Sequence, residues 1–95
     1  MKLEFSGQIW YWRGPAPHYF VTVPEDCCQT IKSVSSLVTY GWGMIPVWAS
    51  IGKTLFRTSL FPKNGSYIVP IKADVRRLEG LSEDDVVLIA LELGV

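Results

Sequence analysis

Residues 9–21, IWYWRGPAPHYFV, decide how this chain folds. Ile9 and Tyr11 alternate with Trp10 and Trp12, and after a break Tyr19 and Val21 alternate with His18 and Phe20. Alternation with a period of two is the mark of a strand. Between the two runs, Gly14-Pro15-Ala16-Pro17 cannot continue a strand and reads as a turn. A hairpin centred on Pro15 sets Tyr11 opposite Tyr19 and Ile9 opposite Val21. Those four residues, with Phe5 and Val23, form a continuous apolar face expected to point inward. The opposite face gathers Trp10, Trp12, His18 and Phe20 at one end, beside Gln8 and Thr22.

The first strand extends back to Leu3 and forward to Arg13, and the second runs from His18 to Val23, ended by Pro24. From Glu25 to about Val38 the period changes. Cys27, Ile31, Val34 and Val38 recur at helical spacing, and Glu25 and Asp26 sit in the first turn, where acidic groups favour the helix dipole. Cys27 is thereby expected on the buried stripe. Tyr40-Gly41-Trp42-Gly43 reads as a loop. Strands Ile45–Ile51 and Thr54–Phe61 flank Gly52-Lys53, which fits a two-residue type II′ turn. The Asn64-Gly65 turn signal precedes a strand from Tyr67 to Ile71. Lys72–Glu79 is a short charged helix with Ile71, Val75 and Leu78 on one side and Gly80 as its stop. Asp85–Leu93 closes the chain as a strand apolar on both faces.

Short strands with frequent turns indicate an all-β fold: a small closed barrel of six to seven strands, with one or two short helices. Closure removes the unpaired edges that so small a domain would otherwise expose. Ninety-five residues make one domain, residues 1–95, and 48% of them are apolar, which supplies the dense core that a short chain needs.

Nine basic and nine acidic side chains cancel. The surplus of Lys and Arg that drives nucleic-acid affinity is missing, so neither a polyanion nor an anionic membrane is an expected partner. Residues 33–52 carry no charge, but serines, glycines and Pro46 break the run too often for a membrane helix. With no secretory leader read at Lys2–Glu4, a cytoplasmic location is expected. Cys27 and Cys28 are neighbours; a bond between adjacent Cα atoms would be strained, so free thiols are expected. No zinc-ligand spacing, phosphate loop or dinucleotide fingerprint is present, and no cofactor is expected.

Three segments carry a family resemblance: FSGQIW at residues 5–10, HYFVTVPEDC at 18–27, and TLFRTSLFPKNGSYIVPIKADVRRLEGLSEDDVVLIALEL at 54–93. Together they span nearly the whole chain, which resembles the DUF1905 family, small bacterial domains of unassigned function. The resemblance implies a small closed β-barrel and brings no catalytic residue. Domains of this type sometimes accompany a segment linked to bacteriocin protection, which is not found in these residues. YIVPIKADVRRLEGLSEDDVVLI, residues 67–89, is also similar to AbrB-type swapped-hairpin domains, with Asp84-Asp85 standing where those carry Gly-Asp. That likeness implies interlocked strand–helix–strand pieces; the neutral charge argues against DNA.

Two surfaces are candidates for binding. Trp10, Trp12, His18 and Phe20 on the outward face of the first hairpin make an aromatic patch. It is expected either to be covered by the 25–38 helix or a second copy of the chain, or to hold a ligand. A one-residue slip in register would exchange the two faces. Arg57, Arg76 and Arg77, with Lys72, form the second candidate, since Arg captures carboxylate or phosphate through paired hydrogen bonds. Asp74 and Glu79 nearby favour a solvated, locally paired surface instead. His18, the single histidine, lacks the nucleophile and orienting acid of a general base. Cys28 near a helix start could be a reactive thiol, but Glu25 and Asp26 oppose that. The expected function is a non-catalytic module binding a protein partner or small ligand, alone or as a homodimer. The alternative is a small enzyme or carrier acting on an anionic metabolite in an arginine-lined cleft.

Overall fold

The alternating segments become six strands in the computed structural model, which describes residues 1–38 and 43–94. In chain order the elements are β1 (Lys2–Trp12), β2 (His18–Thr22), α1 (Glu25–Val38), β3 (Ile45–Ile51), β4 (Thr54–Lys63), β5 (Ser66–Pro70), α2 (Ala73–Glu79) and β6 (Val86–Glu92). Tyr40, Gly41 and Trp42 of the expected loop lie outside the described residues. The strands close in the order β1-β2-β5-β4-β3-β6, every neighbour antiparallel.

Two long strands make the closure. β1 pairs with β6 through Lys2–Gln8 and then with β2 through Ile9–Trp12. β4 does the same, pairing with β3 through Thr54–Leu60 and with β5 through Phe61–Lys63. Each therefore belongs to two sheets and joins them at a corner. At the β1 corner sits Gly7, where a Cβ would fall 2.4 Å from Val21 Cγ1. Only a residue without a side chain lets β1 come this close to β2.

Ile9 pairs with Val21 and Tyr11 with Tyr19, in the expected register. Ile9 and Val21 are wholly buried with Ile45, Leu60, Ile89 and Leu91 in the barrel interior. The two tyrosines differ from expectation: their rings meet at 4.7 Å, but both are only half-buried. The reason is that β6 begins at Val86, opposite Gln8, so β1 runs past it and the tyrosines stand at the barrel mouth.

β2 and β5 are antiparallel neighbours, so the helices that follow them plug opposite ends. α1 enters with Cys28 and Ile31, both fully buried. The expected place for Cys27 is therefore corrected by one residue: Cys28 is inside, and Cys27 only packs against the edge of the core. Helix geometry starts at once after Pro24, with Cys28 N–H donating to the Pro24 carbonyl at 2.9 Å, and this phase turns Cys28 inward. Its Sγ donates to the Val23 carbonyl at 3.3 Å. Burial, then the charges of Asp26 and Cys28, push the Cys27 thiol up from its ordinary value. Both cysteines are free, and the raised pKa of Cys27 disfavours a thiolate there.

α2 seals the other end with Val75, beside Ile71 just ahead of the helix. Leu78, expected on that buried side, is 65% exposed, because the helix stops one residue later. Gly80 ends it in the left-handed conformation, as expected, and Thr54 Oγ1 donates to Glu79 Oε2 at 2.6 Å, tying the helix to the β3–β4 hairpin. Asp84 takes a left-handed φ of 74°, a conformation that Asp tolerates better than most residues with a side chain. Its N–H donates to the Ile9 carbonyl at 2.8 Å. Asn64 and Gly65 are both left-handed, as a type I′ hairpin turn requires. No helix of the described residues is long and apolar enough to cross a membrane.

Truncating a side chain at the centre of this interior leaves a cavity that the closed wall cannot collapse. Ile9→Ala should lower unfolding free energy in urea by about 2–5 kcal/mol. Leu88→Ala, on the outer wall at 55% exposure, should change it by less than about 0.5 kcal/mol.

Candidate functional site

The pairing that buries Ile9 and Val21 sends their neighbours outward. Trp10 pairs with Phe20 and Trp12 with His18, so the expected aromatic face forms. Ring centroids lie at 5.3 Å for Trp10–Phe20, 6.0 Å for Trp12–Phe20 and 5.4 Å for His18–Phe20, the last edge-on. Trp10 Nε1 donates to Thr22 Oγ1 at 3.0 Å, satisfying its one polar atom.

Non-sequential strand order completes the face. β2 lies beside β5, and β5 beside β4, so Phe20 pairs with Pro70, Thr22 with Ile68, and Ile68 with Phe61. Phe20 and Ile68 are each 3% exposed, yet neither belongs to the cluster inside the barrel. Both lie on the outer wall. α1 packs against β3 and β5, and among the described residues the rings of Trp10, Trp12 and His18 pack against Phe20.

Over this layer opens a depression of about 340 Å³ lined by Trp12, Ala16, Pro17, His18, Phe20, Phe61 and Pro70. Trp12, 40% exposed, forms one wall. Its ring lies against Gly14, where a Cβ would fall 2.2 Å from Trp12 Nε1, so the turn glycine leaves the space the indole occupies. Lys63 Nζ sits 5.0 Å from the centre of the Trp12 ring. All seven of these lining residues carry a ring or a bare methyl group, and His18 alone among them can bear charge.

His18 is held below its ordinary pKa of 6.5, first by burial and second by the positive charge of Arg76. Arg76 itself stacks over Tyr19, 3.9 Å from the ring centre, and donates from Nη1 to the Ile71 carbonyl at 2.6 Å. That spends it on the barrel mouth. Arg77, next to it on the same short helix, is exposed. Arg57 lies elsewhere, stacked on Trp48 at 5.3 Å and lining two depressions with neither Arg76 nor Arg77. The arginine cleft expected from sequence is thus not assembled in those depressions; its members divide between two places. Lys72 alone stays with Arg57, donating from Nζ to the Arg57 carbonyl at 2.5 Å.

Phe61, Pro70 and Lys63 escaped the sequence reading, because they reach the aromatic face through pairings between strands far apart in the chain. Trp48 could have been found: the alternation of Ile45, Val47, Ala49 and Ile51 already turns it outward. Among the described residues, no group of three or more His, Cys, Asp or Glu side chains is placed to hold a metal ion.

A closed six-stranded antiparallel barrel, plugged by two helices and carrying an aromatic layer outside, is the class of domain defined here. Residues 5–91 match the family model described as "Domain of unknown function (DUF1905)", and the chain belongs to that family, whose function is unassigned. No curated protein matches it.

Because the folded chain protonates His18 less readily than an unfolded one, the neutral ring favours folding above pH 6.5. That contribution is lost as pH falls through 6.5 to the lower folded value. Imidazole NMR titration, unambiguous with one histidine, should give a midpoint below 6.5. In Arg76→Ala the midpoint should rise only part of the way back, since burial is the larger cause.

Proposed function

We propose that this domain is a non-catalytic binding module whose outer aromatic cleft receives a ring-bearing apolar group. That group is an aromatic or proline side chain of a partner protein, or the ring of a small ligand. One observation carries the reading: Trp12, His18, Phe20, Phe61, Pro17 and Pro70 converge on one concave surface whose floor, Phe20, is already dry. Rings attract rings by offset and edge-on contact, and prolines pack against aromatic walls with little entropy to lose. The volume, about 340 Å³, falls at the lower end of ordinary ligand sites.

Chemistry argues in the same direction. Acid–base or nucleophilic catalysis needs at least two reactive groups within hydrogen-bond reach. Among the described residues, His18 is the single titratable side chain lining the cleft, and no hydroxyl, thiol or carboxylate lines it beside the imidazole. A depressed pKa keeps that ring neutral at pH 7, when it can pack as one more flat surface.

N-acetyltryptophanamide and a hexaproline peptide serve as uncharged ring probes. Titrated into labelled protein, at least one should give saturable NMR shifts at Trp12, His18 and Phe61. Trp12→Ala should weaken that binding by about three- to tenfold, the scale of one aromatic pair. Neither probe reaching these residues at millimolar concentration would remove the reading.

A further inference from the structure

Alternation along β4 turns Arg57 outward, and its partner across the β3–β4 pair is Trp48. The guanidinium lies 5.3 Å above the indole, which occupies one planar face and leaves the N–H edge to meet a ligand. Lys72, just beyond the end of β5, is held against the same strand by its hydrogen bond to the Arg57 carbonyl. Carrying the β4–β5 register on past Phe61↔Ile68 sets Lys72 across from Arg57. Like charges so placed repel each other, unless something negative lies between them.

Among the described residues, the wall supplies nothing negative. The two cations line a groove of about 570 Å³ with Met44, Pro46, Thr58, Ser59 and Phe61, none of them acidic. The chain as a whole is neutral, so this concentration of positive charge is a local arrangement. On the other side of Arg57 and Pro46, a second depression of about 500 Å³ contains Glu92, which turns an anion back toward Lys72. Phe61 lines both the cationic groove and the aromatic cleft, so the two sites share one ridge.

We propose that the Arg57–Lys72 groove binds an oxyanion, a carboxylate or phosphate group, carried by the ligand whose ring occupies the adjoining cleft. The link to the cleft rests on the function proposed above; the oxyanion site stands without it. Arg57, braced on Trp48, offers two parallel donors to a flat or tetrahedral anion. Lys72 adds a mobile point charge.

The test is an NMR titration of the full chain with sodium acetate and, separately, inorganic phosphate, which distinguishes the two anion types. At least one should give saturable shifts at Arg57, Ser59 and Lys72, fading as sodium chloride rises, with Trp12 and His18 unmoved. Arg57→Ala and Lys72→Ala, both at exposed positions, should each weaken it about tenfold. Their urea midpoints, measured in parallel, should match the parent chain. Absence of saturable shifts, or shifts unchanged in Arg57→Ala, overturns the site. The link is read with acetyl-Trp-Gly-Asp-amide against acetyl-Trp-Gly-Asn-amide, a pair that differs in one charge. The acidic peptide should bind tighter to the parent chain and equally to Arg57→Ala; equal binding to the parent overturns the link. If oxyanions bind but neither peptide moves Trp12 or His18, the aromatic reading fails and the anion site remains.

Discussion

Because side chains along a strand point alternately to its two faces, the β1–β2 pair has to furnish two surfaces at once. The Ile9–Val21 step goes to the barrel interior and the Trp10–Phe20 step to the outer wall. Shifting that pairing by one residue would put indoles where branched aliphatics close-pack and leave the outer layer without its floor. Every other feature follows from this register. β1 can serve β6 and β2 in turn only if Gly7 lets it pass close to Val21, and the barrel closes only if β1 and β4 each serve two neighbours.

Plugging both ends with helices has a consequence for the wall. α1 closes one barrel end with Cys28 and Ile31 and α2 the other with Val75, beside Ile71, so among the described residues the outer face of the β1–β2 pair is layered by its own rings. Phe20 and Ile68 on that wall are buried almost as completely as Ile9 in the interior. An outer ring cluster on a barrel wall gains little stability per residue compared with a closed interior, because one side still faces water. Its concavity, in place of a flush surface, is therefore the feature that relates it to recognition.

Charge is distributed with similar economy. Nine positive and nine negative side chains cancel over the whole chain, yet the cations separate by task. Arg76 braces the barrel mouth against Tyr19 and adds to the burial that lowers the His18 pKa, Lys63 sits over Trp12, and Arg57 with Lys72 faces a groove with no acidic side chain among its described lining residues. Each of the first three cations gains from a ring, an interaction that survives partial desolvation better than an exposed ion pair.

The chain's own alternation was sufficient for the local structure. Six strands, two helices, the Pro15 hairpin and its pairing, and the Asn64-Gly65 turn could all be read from residues 3–93, because periodicity and turn chemistry act over a few positions. The aromatic quartet Trp10, Trp12, His18 and Phe20 was legible for the same reason. Tertiary structure alone decided which strands lie side by side. It brought Pro70 and Phe61 to Phe20, parted Arg57 from Arg76, chose Cys28 over Cys27, and left Leu78 outside. Those outcomes depend on closure and on helix phase, which are settled by the packing of elements distant in the chain and leave no short-range pattern.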